Sequence, residues 1–367
     1  MLTGAAQKFV APLSFEGVTG RRVLTDLFSA DGAALHLRLG KDSDVVCVAP
    51  ATADFLARAA EGRADDLLCT SLLATRAPVV VFPAMNDRMF SHPQVQENVE
   101  RLRARPGYVI AGPAEGPLAA GEGEGPGRML EPHEVVEHIG RALATDDTFG
   151  GKRVLVTAGP TREAIDPVRY VGNRSSGRMG YAIAQAAWRR GASVTLVSGP
   201  SSLEPPVGVQ LVRVQSAQEM LEAVSAVIED VDLSVFAAAV ADFRPTSTED
   251  EKVKREEMGE GFAVALAPNP DIAGETRGLR KAGSVTVGFA LETTDLVANA
   301  RKKLEKKDFD LLVANDVTEE GAGFDVATNR VTILSPRGDP QELPLLSKDE
   351  VAEEILDRAG PLLATGD

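Results

Sequence analysis

The chain of 367 residues carries two cysteines, Cys47 and Cys69, both inside apolar runs. Two thiols cannot build a disulfide framework or a cysteine-rich zinc site, and such sparing use suits a reducing cytoplasm. No stretch reaches the ~18 apolar residues of a membrane span, and the first residues show no signal-peptide pattern. Basic residues are in the minority: 39 Lys plus Arg against 54 Asp plus Glu leave a formal charge of −15. A nucleic-acid surface built on bulk charge is thereby excluded, whereas a local basic pocket for a small anion is not. No internal repeat is visible. The remaining composition, 44% hydrophobic and 25% charged, is that of an ordinary folded chain. A soluble, acidic, cytoplasmic protein of about two domains is expected.

Short β-branched runs alternate with longer helical patterns. Strands are expected at Val45–Ala49, Val79–Phe82, Tyr108–Ile110, Arg153–Thr157, Ser193–Val197, Gln210–Val214, Leu233–Ala237, Val285–Phe289 and Asp310–Val313. Between them lie helical patterns such as Ala53–Ala60, Gln94–Arg103, Gly180–Arg190, Ala217–Ile228 and Asp295–Lys306. Alternation of this kind predicts parallel sheets with helices on both faces, and active sites at the carboxyl ends of the strands. The polar, Gly-containing stretch Ala142–Gly151 is the natural boundary, giving domains over 1–145 and 151–367. The charged segment Glu249–Gly261 reads as a loop or flap.

In the second half a strand ends in Ala158-Gly159-Pro160-Thr161-Arg162, and a polar loop with Asp166, Arg169, Asn173, Ser175, Ser176 and Gly177 leads into a helix near Met179. Free N–H groups at a helix start suit a phosphate, and Gly177 and Gly180 allow close backbone approach. The pattern is neither G-x-G-x-x-G nor Walker A, so spacing alone leaves a phosphate site and an ordinary βα turn equally open. Asp242, at the end of a buried strand, suits ribose hydroxyls, an ion pair with Arg244, or a helix cap. Asn269-Pro270-Asp271-Ile272 reads as a turn with Asp271 as helix cap. Lys302, Lys303, Lys306 and Lys307 make either a solvated helix face or a positive field for a polyphosphate.

These segments (TAGPTRE, DPVRY, GNRSSGRMGYAIA, AAVADFRP, the Lys252-Val253-Lys254 loop, NPDI, GFALET and KLEKKDFDLLVANDV) resemble, in order and spacing, the ligase half of the bacterial bifunctional coenzyme A biosynthesis flavoproteins. The resemblance implies CTP-dependent joining of 4′-phosphopantothenate to cysteine. A carboxylate is a poor acyl donor because oxide would have to leave, so an acyl-cytidylate forms first and the cysteine amine then displaces CMP. The first step joins two anions and calls for cations and Mg²⁺, whose protein ligands the sequence does not identify. By motif position Lys252 helps form the acyl-cytidylate, and Lys303 and Lys307 hold the triphosphate. Asp242 and Phe289 contact the nucleoside, and Ala238 with Asn269, Pro270 and Asp271 completes that pocket. Arg169 and Asn173 position the acyl phosphate for attack.

The first half offers Leu35-His36-Leu37, Ala49-Pro50-Ala51-Thr52, Pro83-Ala84-Met85-Asn86 and Gly127-Arg128-Met129. Singly these are weak: a lone His beside leucines is more often a satisfied structural residue than a catalyst. Together they resemble the FMN-dependent decarboxylase half of the same family. There the thiol of 4′-phosphopantothenoylcysteine is oxidised to a thioaldehyde, an electron sink that eases loss of CO₂. The resemblance implies His36 as the base-type residue, Asn86 as the carboxylate ligand, and Ala49, Pro50, Ala51 and Thr52 as the flavin border. It implies a flavodoxin-like first domain lacking its first βα unit, a Rossmann-like second domain, and a homo-oligomer with trimeric flavin halves and dimeric ligase halves whose sites lie at subunit contacts. One departure is chemical. Leu118-Ala119-Ala120-Gly121-Glu122 puts Ala120 where the family has a cysteine that acts as an acid, and a methyl group donates no proton. The competing reading is a ligase with a degenerate, non-catalytic flavin-like domain. A regulatory binding protein and a generic nucleotide-dependent oxidoreductase are further alternatives.

Overall fold

In a computed structural model of the chain, residues 1–28, 34–118, 121, 123–144, 147–254, 262–292, 295–316 and 326–364 are described. They divide into two units, Met1–Ala144 and Thr145–Asp367. Ala119, Ala120 and Glu122 fall outside the described residues, as do 255–261 of the charged segment. No helix among the described residues is long and apolar enough to cross a membrane.

The first unit runs α1 (Pro12–Thr19), α2 (Leu35–Asp42), β1 (Val46–Ala51), α3 (Ala53–Glu61), α4 (Leu67–Ala74), β2 (Val79–Pro83), α5 (Asp87–Phe90), α6 (Pro93–Arg103), β3 (Tyr108–Ile110), β4 (Ala114–Pro117), β5 (Glu124–Arg128) and α7 (Pro132–Leu143). Strands β1, β2 and β3 form a parallel sheet in that order, and β4 and β5 form a separate hairpin. The central strand β2 is buried at every position. Val79 and Val81 pack with Phe55 and Leu56 of α3 and Val99 and Leu102 of α6, while Val80 and Phe82 pack with Val135 and Ala142 of α7. The alternating contacts require both faces to be covered, which is why the strand reads as one apolar run. Helix α4 has no polar stripe to mark it. Its start is set by Asp66, whose Oδ1 accepts from Cys69 N at 2.7 Å.

The second unit runs β6 (Arg153–Ala158), β7 (Arg162–Ala164), β8 (Tyr170–Gly172), α8 (Arg178–Arg189), β9 (Ser193–Ser198), β10 (Gln210–Arg213), α9 (Ala217–Ser225), β11 (Leu233–Phe236), β12 (Phe243–Pro245), β13 (Leu266–Pro268), α10 (Ile272–Glu275), β14 (Val285–Glu292), α11 (Leu296–Lys307), β15 (Leu311–Asp316), β16 (Thr328–Asn329), β17 (Val331–Leu334), β18 (Gln341–Glu342), β19 (Leu346–Ser347) and α12 (Lys348–Ala364). Its main sheet has the order β10-β9-β6-β11-β14-β15-β17-β18. The first six are parallel, and β17 and β18 add antiparallel edges. Numbered along the chain, the parallel strands follow the 3-2-1-4-5-6 order of a Rossmann sheet, with the switch between β6 and β11. Val154, Val156 and Ala158 of β6 face α8 and α12, and Leu155 faces α9. The helix expected over Ala217–Ile228 ends earlier, at Ser225, and the chain turns through a 3-10 segment, Ile228–Asp230.

Candidate active site at the topological switch point

Where β6 and β11 diverge, a cleft of about 690 Å³ opens, at the position the strand order favours for ligands. One wall is the start of α8. Gly177 takes φ 83° as the residue before the helix, a left-handed backbone that a side chain would strain. At Gly180 a Cβ would lie 2.5 Å from Ala158 Cβ and 3.0 Å from Thr157 O, so only glycine lets α8 sit this close to β6.

The opposite wall is the segment 238–242, pinned from several sides. Ala238 N donates to Thr157 Oγ1 at 3.2 Å and Ala241 N to Thr161 Oγ1 at 3.0 Å. Asn173 Nδ2 donates to Val240 O and Asn269 Nδ2 to Ala241 O, each at 2.8 Å. Asn173 and Asn269 thus hold the loop that carries Asp242. The Asp242 carboxylate is exposed and, among the described residues, has neither a hydrogen bond nor an ion pair. The expected pairing with Arg244 is absent, because Arg244 donates instead to Pro268 O at 2.6 Å.

The floor comes from β14 and α11. Lys303 and Lys307, four apart on α11, lie on its cleft face, while Lys302 and Lys306 are exposed. Lys303 Nζ donates to Phe289 O and Lys307 Nζ to Asp271 Oδ1, both at 2.8 Å. Asp271 also caps α10, its Oδ1 accepting from Gly274 N at 3.2 Å. Burial opposes the Asp271 charge, but Lys307, Gly274 N–H and nearby Lys303 outweigh it and hold the carboxyl below its ordinary value.

Among the described lining residues five are cationic, Arg174, Arg178, Lys303, Lys307 and Lys348, against the carboxylates Asp242 and Asp271. A positive cleft in a chain of charge −15 is a local reversal of sign, which draws and holds an anion. Arg174, Arg178 and Lys348 are absent from the sequence-based site. The two arginines flank the Ser-Ser-Gly turn, so their signal was present. Lys348 starts α12, far along the chain from any motif, and reaches the cleft only through the β16–β19 pairing.

Two expected residues lie elsewhere. Lys252 is exposed and does not line the cleft. Arg169 is also off it, its Nη1 3.3 Å from Asp166 Oδ2. The structure gathers Asn173, Ala238, Asp242, Asn269, Pro270, Asp271, Phe289, Lys303 and Lys307, and leaves off the cleft Arg169, paired with Asp166, and Lys252, whose neighbour Val253 donates its N–H to the same carboxylate.

In the first unit Ala84 N donates to Ala51 O and Met85 N to Gly127 O, both at 3.0 Å. The ends of β1 and β2 and the β5 strand therefore meet, bringing Ala49–Thr52 and Asn86 to one edge of the sheet. Thr52 Oγ1 caps α3, accepting from Phe55 N at 3.2 Å. Asn86 Oδ1 accepts from Arg88 N at 3.0 Å, so its NH₂ group is the part suited to a carboxylate. His36 stands on α2 with Nδ1 buried and, among the described residues, unpartnered. No described hydrogen bond joins it to Asn86 or Thr52. An orphaned imidazole nitrogen and an exposed Ala49-Pro50 strand end beside a helix start fit a flavin. The two free cysteines are Cys47 on β1 and Cys69 on α4. One metal-like cluster, Asp65, Asp66 and Cys69, occurs among the described residues, but Arg58 already pairs with both carboxylates at 3.1 and 2.7 Å. Among the described residues no such cluster lies in the cleft.

Fold and site define a two-unit α/β protein whose second unit offers a cleft for an anionic ligand. Residues 1–144 match the family described as Flavoprotein, and residues 149–362 match the DNA/pantothenate metabolism flavoprotein C-terminal domain. The Coenzyme A biosynthesis bifunctional protein CoaBC of Vibrio vulnificus (strain YJ016) is 46% identical over 365 residues, covering 99% of this chain and 90% of that protein. Its namesake from Bacillus subtilis (strain 168) is 44% identical over 367 residues, covering 99% and 89%. A crystal structure of the C-terminal domain of a CoaBC protein is 42% identical with a TM-score of 0.51, covering 60% of this chain and 100% of that one. The chain belongs to the bifunctional coenzyme A biosynthesis flavoprotein family, which joins a decarboxylase half to a ligase half. Near-full-length similarity to bifunctional relatives favours an enzyme with both halves over a ligase beside a degenerate domain.

Proposed function

We propose that the second unit joins 4′-phosphopantothenate to cysteine at the expense of CTP, and that the first unit decarboxylates the product with FMN, in the reducing cytoplasm. The observation that carries the ligase reading is the positive cleft at the switch point. Lys303 and Lys307, with Arg174 and Arg178 opposite, balance a triphosphate. Asp242 accepts from ribose hydroxyls, and Phe289, Ala238 and the Asn269–Asp271 turn enclose the nucleoside. Asn173 stands beside Val240, where the activated acyl group meets the amine. Mg²⁺ bound with the triphosphate would supply screening between the phosphates.

Arg169 and Lys252 lie off this cleft. In our reading ligase units pair so that Arg169 and the Lys252 loop of one copy complete the cleft of the other. In the first unit Ala49, Pro50, Ala51 and Thr52 border the flavin, Asn86 holds the substrate carboxylate by its NH₂ group, and His36 exchanges a proton at Nδ1. FMN held there would supply reversible two-electron redox chemistry to the substrate.

The ligase reading is tested by pyrophosphate release from CTP in the presence of 4′-phosphopantothenate. Lys252→Gln is expected to slow it by about two to three orders of magnitude. Asn173→Asp is expected to leave it largely intact and to slow the amide step that follows. Near wild-type pyrophosphate release from Lys252→Gln would refute these roles.

A further inference from the structure

Asp166 is 2% exposed in the turn between β7 and β8, and no role in binding or chemistry has been given to it above. Its Oδ1 accepts from Val168 N and Arg169 N, both at 2.8 Å. Its Oδ2 accepts from Arg169 Nη1 and from Val253 N, both at 3.3 Å. One buried carboxylate thus holds the side chain of Arg169 and the backbone next to Lys252, 87 residues apart from Asp166 to Val253.

The strap bearing Lys252 is fastened to the same turn at two further points. Thr248 Oγ1 donates to Ala164 O at 3.2 Å and Glu249 N to Ile165 O at 3.0 Å. Val253 is itself buried at 7% exposure. Lys252, by contrast, has no hydrogen-bond or ion-pair partner among the described residues, so its ammonium is aimed by the backbone on either side of it. On the far side of the strap, the Phe262 ring lies 6.0 Å from the Arg169 guanidinium. Burial works against the charge of Asp166. Three backbone N–H groups and Arg169 outweigh it, and the carboxyl sits below its ordinary value.

We propose that Asp166 is a positioning residue of the ligase reaction, a single carboxylate that sets Arg169 and the Lys252 strap in register with each other. The proposal rests on the roles given above to Arg169 and Lys252. Its chemistry is directional. In Asp166→Asn one oxygen still serves the two turn amides, but an NH₂ group then faces two donors, Val253 N–H and Arg169 Nη1. The variant keeps the turn and releases the strap.

The test uses the full chain and three readouts. Asp166→Asn is expected to slow pyrophosphate release by about ten- to a hundredfold, as misplacement of a catalytic cation does, while calorimetry shows CTP affinity within about threefold of wild type. In a Lys252→Gln background the same substitution is expected to add less than about twofold, because a residue acting through Lys252 has nothing left to position. Amide exchange is expected to rise across 248–254 in both Asp166→Asn and Asp166→Ala, and to stay unchanged across 236–242. Multiplying rate losses in the double variant, loss of CTP binding together with activity, or unaltered exchange in the strap would each overturn the proposal. Should Lys252→Gln itself release pyrophosphate normally, the functional roles fail, and the exchange measurement still decides whether Asp166 holds the strap.

Discussion

Lys307 illustrates how one side chain can be worth little to the fold and much to a ligand. Its bond to Asp271 is partly open to water, with the two side chains 23% and 49% exposed, and such pairs contribute about 0–1 kcal/mol. Facing a triphosphate inside the cleft, the same ammonium meets several negative charges with less screening. Lys307→Ala is expected to raise the dissociation constant for CTP more than about tenfold, or roughly 1.4 kcal/mol, while denaturant unfolding moves by less than about 1 kcal/mol. Calorimetry and a denaturation curve on the same sample check both halves. Cys69 is the opposite case, a reactive group made inert. Burial pushes its thiol up to about 12, and Asp66 adds to the shift while Arg58 opposes it. A thiol with so little thiolate is a poor nucleophile, so Cys69 is expected to remain unalkylated by iodoacetamide at pH 8 in the folded protein, as read by peptide mass spectrometry.

At the scale of elements, the approach of α8 to β6 decides the shape of the cleft. The helix's first turn lies against Thr157 and Ala158 with no space for a branched side chain at 180. Gly180→Val is expected to destabilise the second unit by about 1–3 kcal/mol through overpacking. Moving the helix start outward also withdraws Ser175, Ser176 and Arg178 from the ligand. A fall in CTP affinity greater than the loss of stability explains would show the helix start to be part of the site. Helix α12 covers the same face of the sheet, with Val351, Ala352, Ile355, Leu356 and Ala359 buried in a helical stripe. Arg189, the last residue of α8, and Arg190, which follows it, hold its Glu353 at 2.6 and 2.5 Å. The helix that places Lys348 at the cleft is thus anchored to the helix that opens it.

Across the whole molecule, carboxylates with depressed pKa values set the acid limit. Burial opposes the charge at Asp66, Asp166, Asp232 and Asp271, and hydrogen bonds from cations or backbone N–H groups outweigh it at each. A folded pKa below the unfolded value of about 3.9 contributes stability above that pH and loses it as pH falls through the folded value. Asp310, pushed up by burial, acts in the opposite sense. Unfolding free energy is expected to fall as pH drops through about 6.5, because burial holds the His138 imidazole below its ordinary value, and to fall further below about pH 4. Urea titrations at stepped pH read this directly, and a maximum near pH 3 would contradict it.

The sequence alone determined the alternation of strands and helices, the apolar core strands, the glycines at 177 and 180 and the Asp271 cap. Each is a local property, a matter of period, turn chemistry or a neighbour within a few residues. Even the two ambiguous lysine faces resolve only by which side of α11 meets the sheet. Tertiary structure decided that Asn173 and Asn269 grip the 238–242 loop, that Lys348 belongs to the cleft, and that Arg169 and the backbone next to Lys252 meet apart from it at the Asp166 carboxylate. The bonds of Asn173, Asn269 and Val253 join residues dozens of positions apart. Such partners are chosen by the order in which strands assemble into a sheet, and no local pattern in a chain encodes that order.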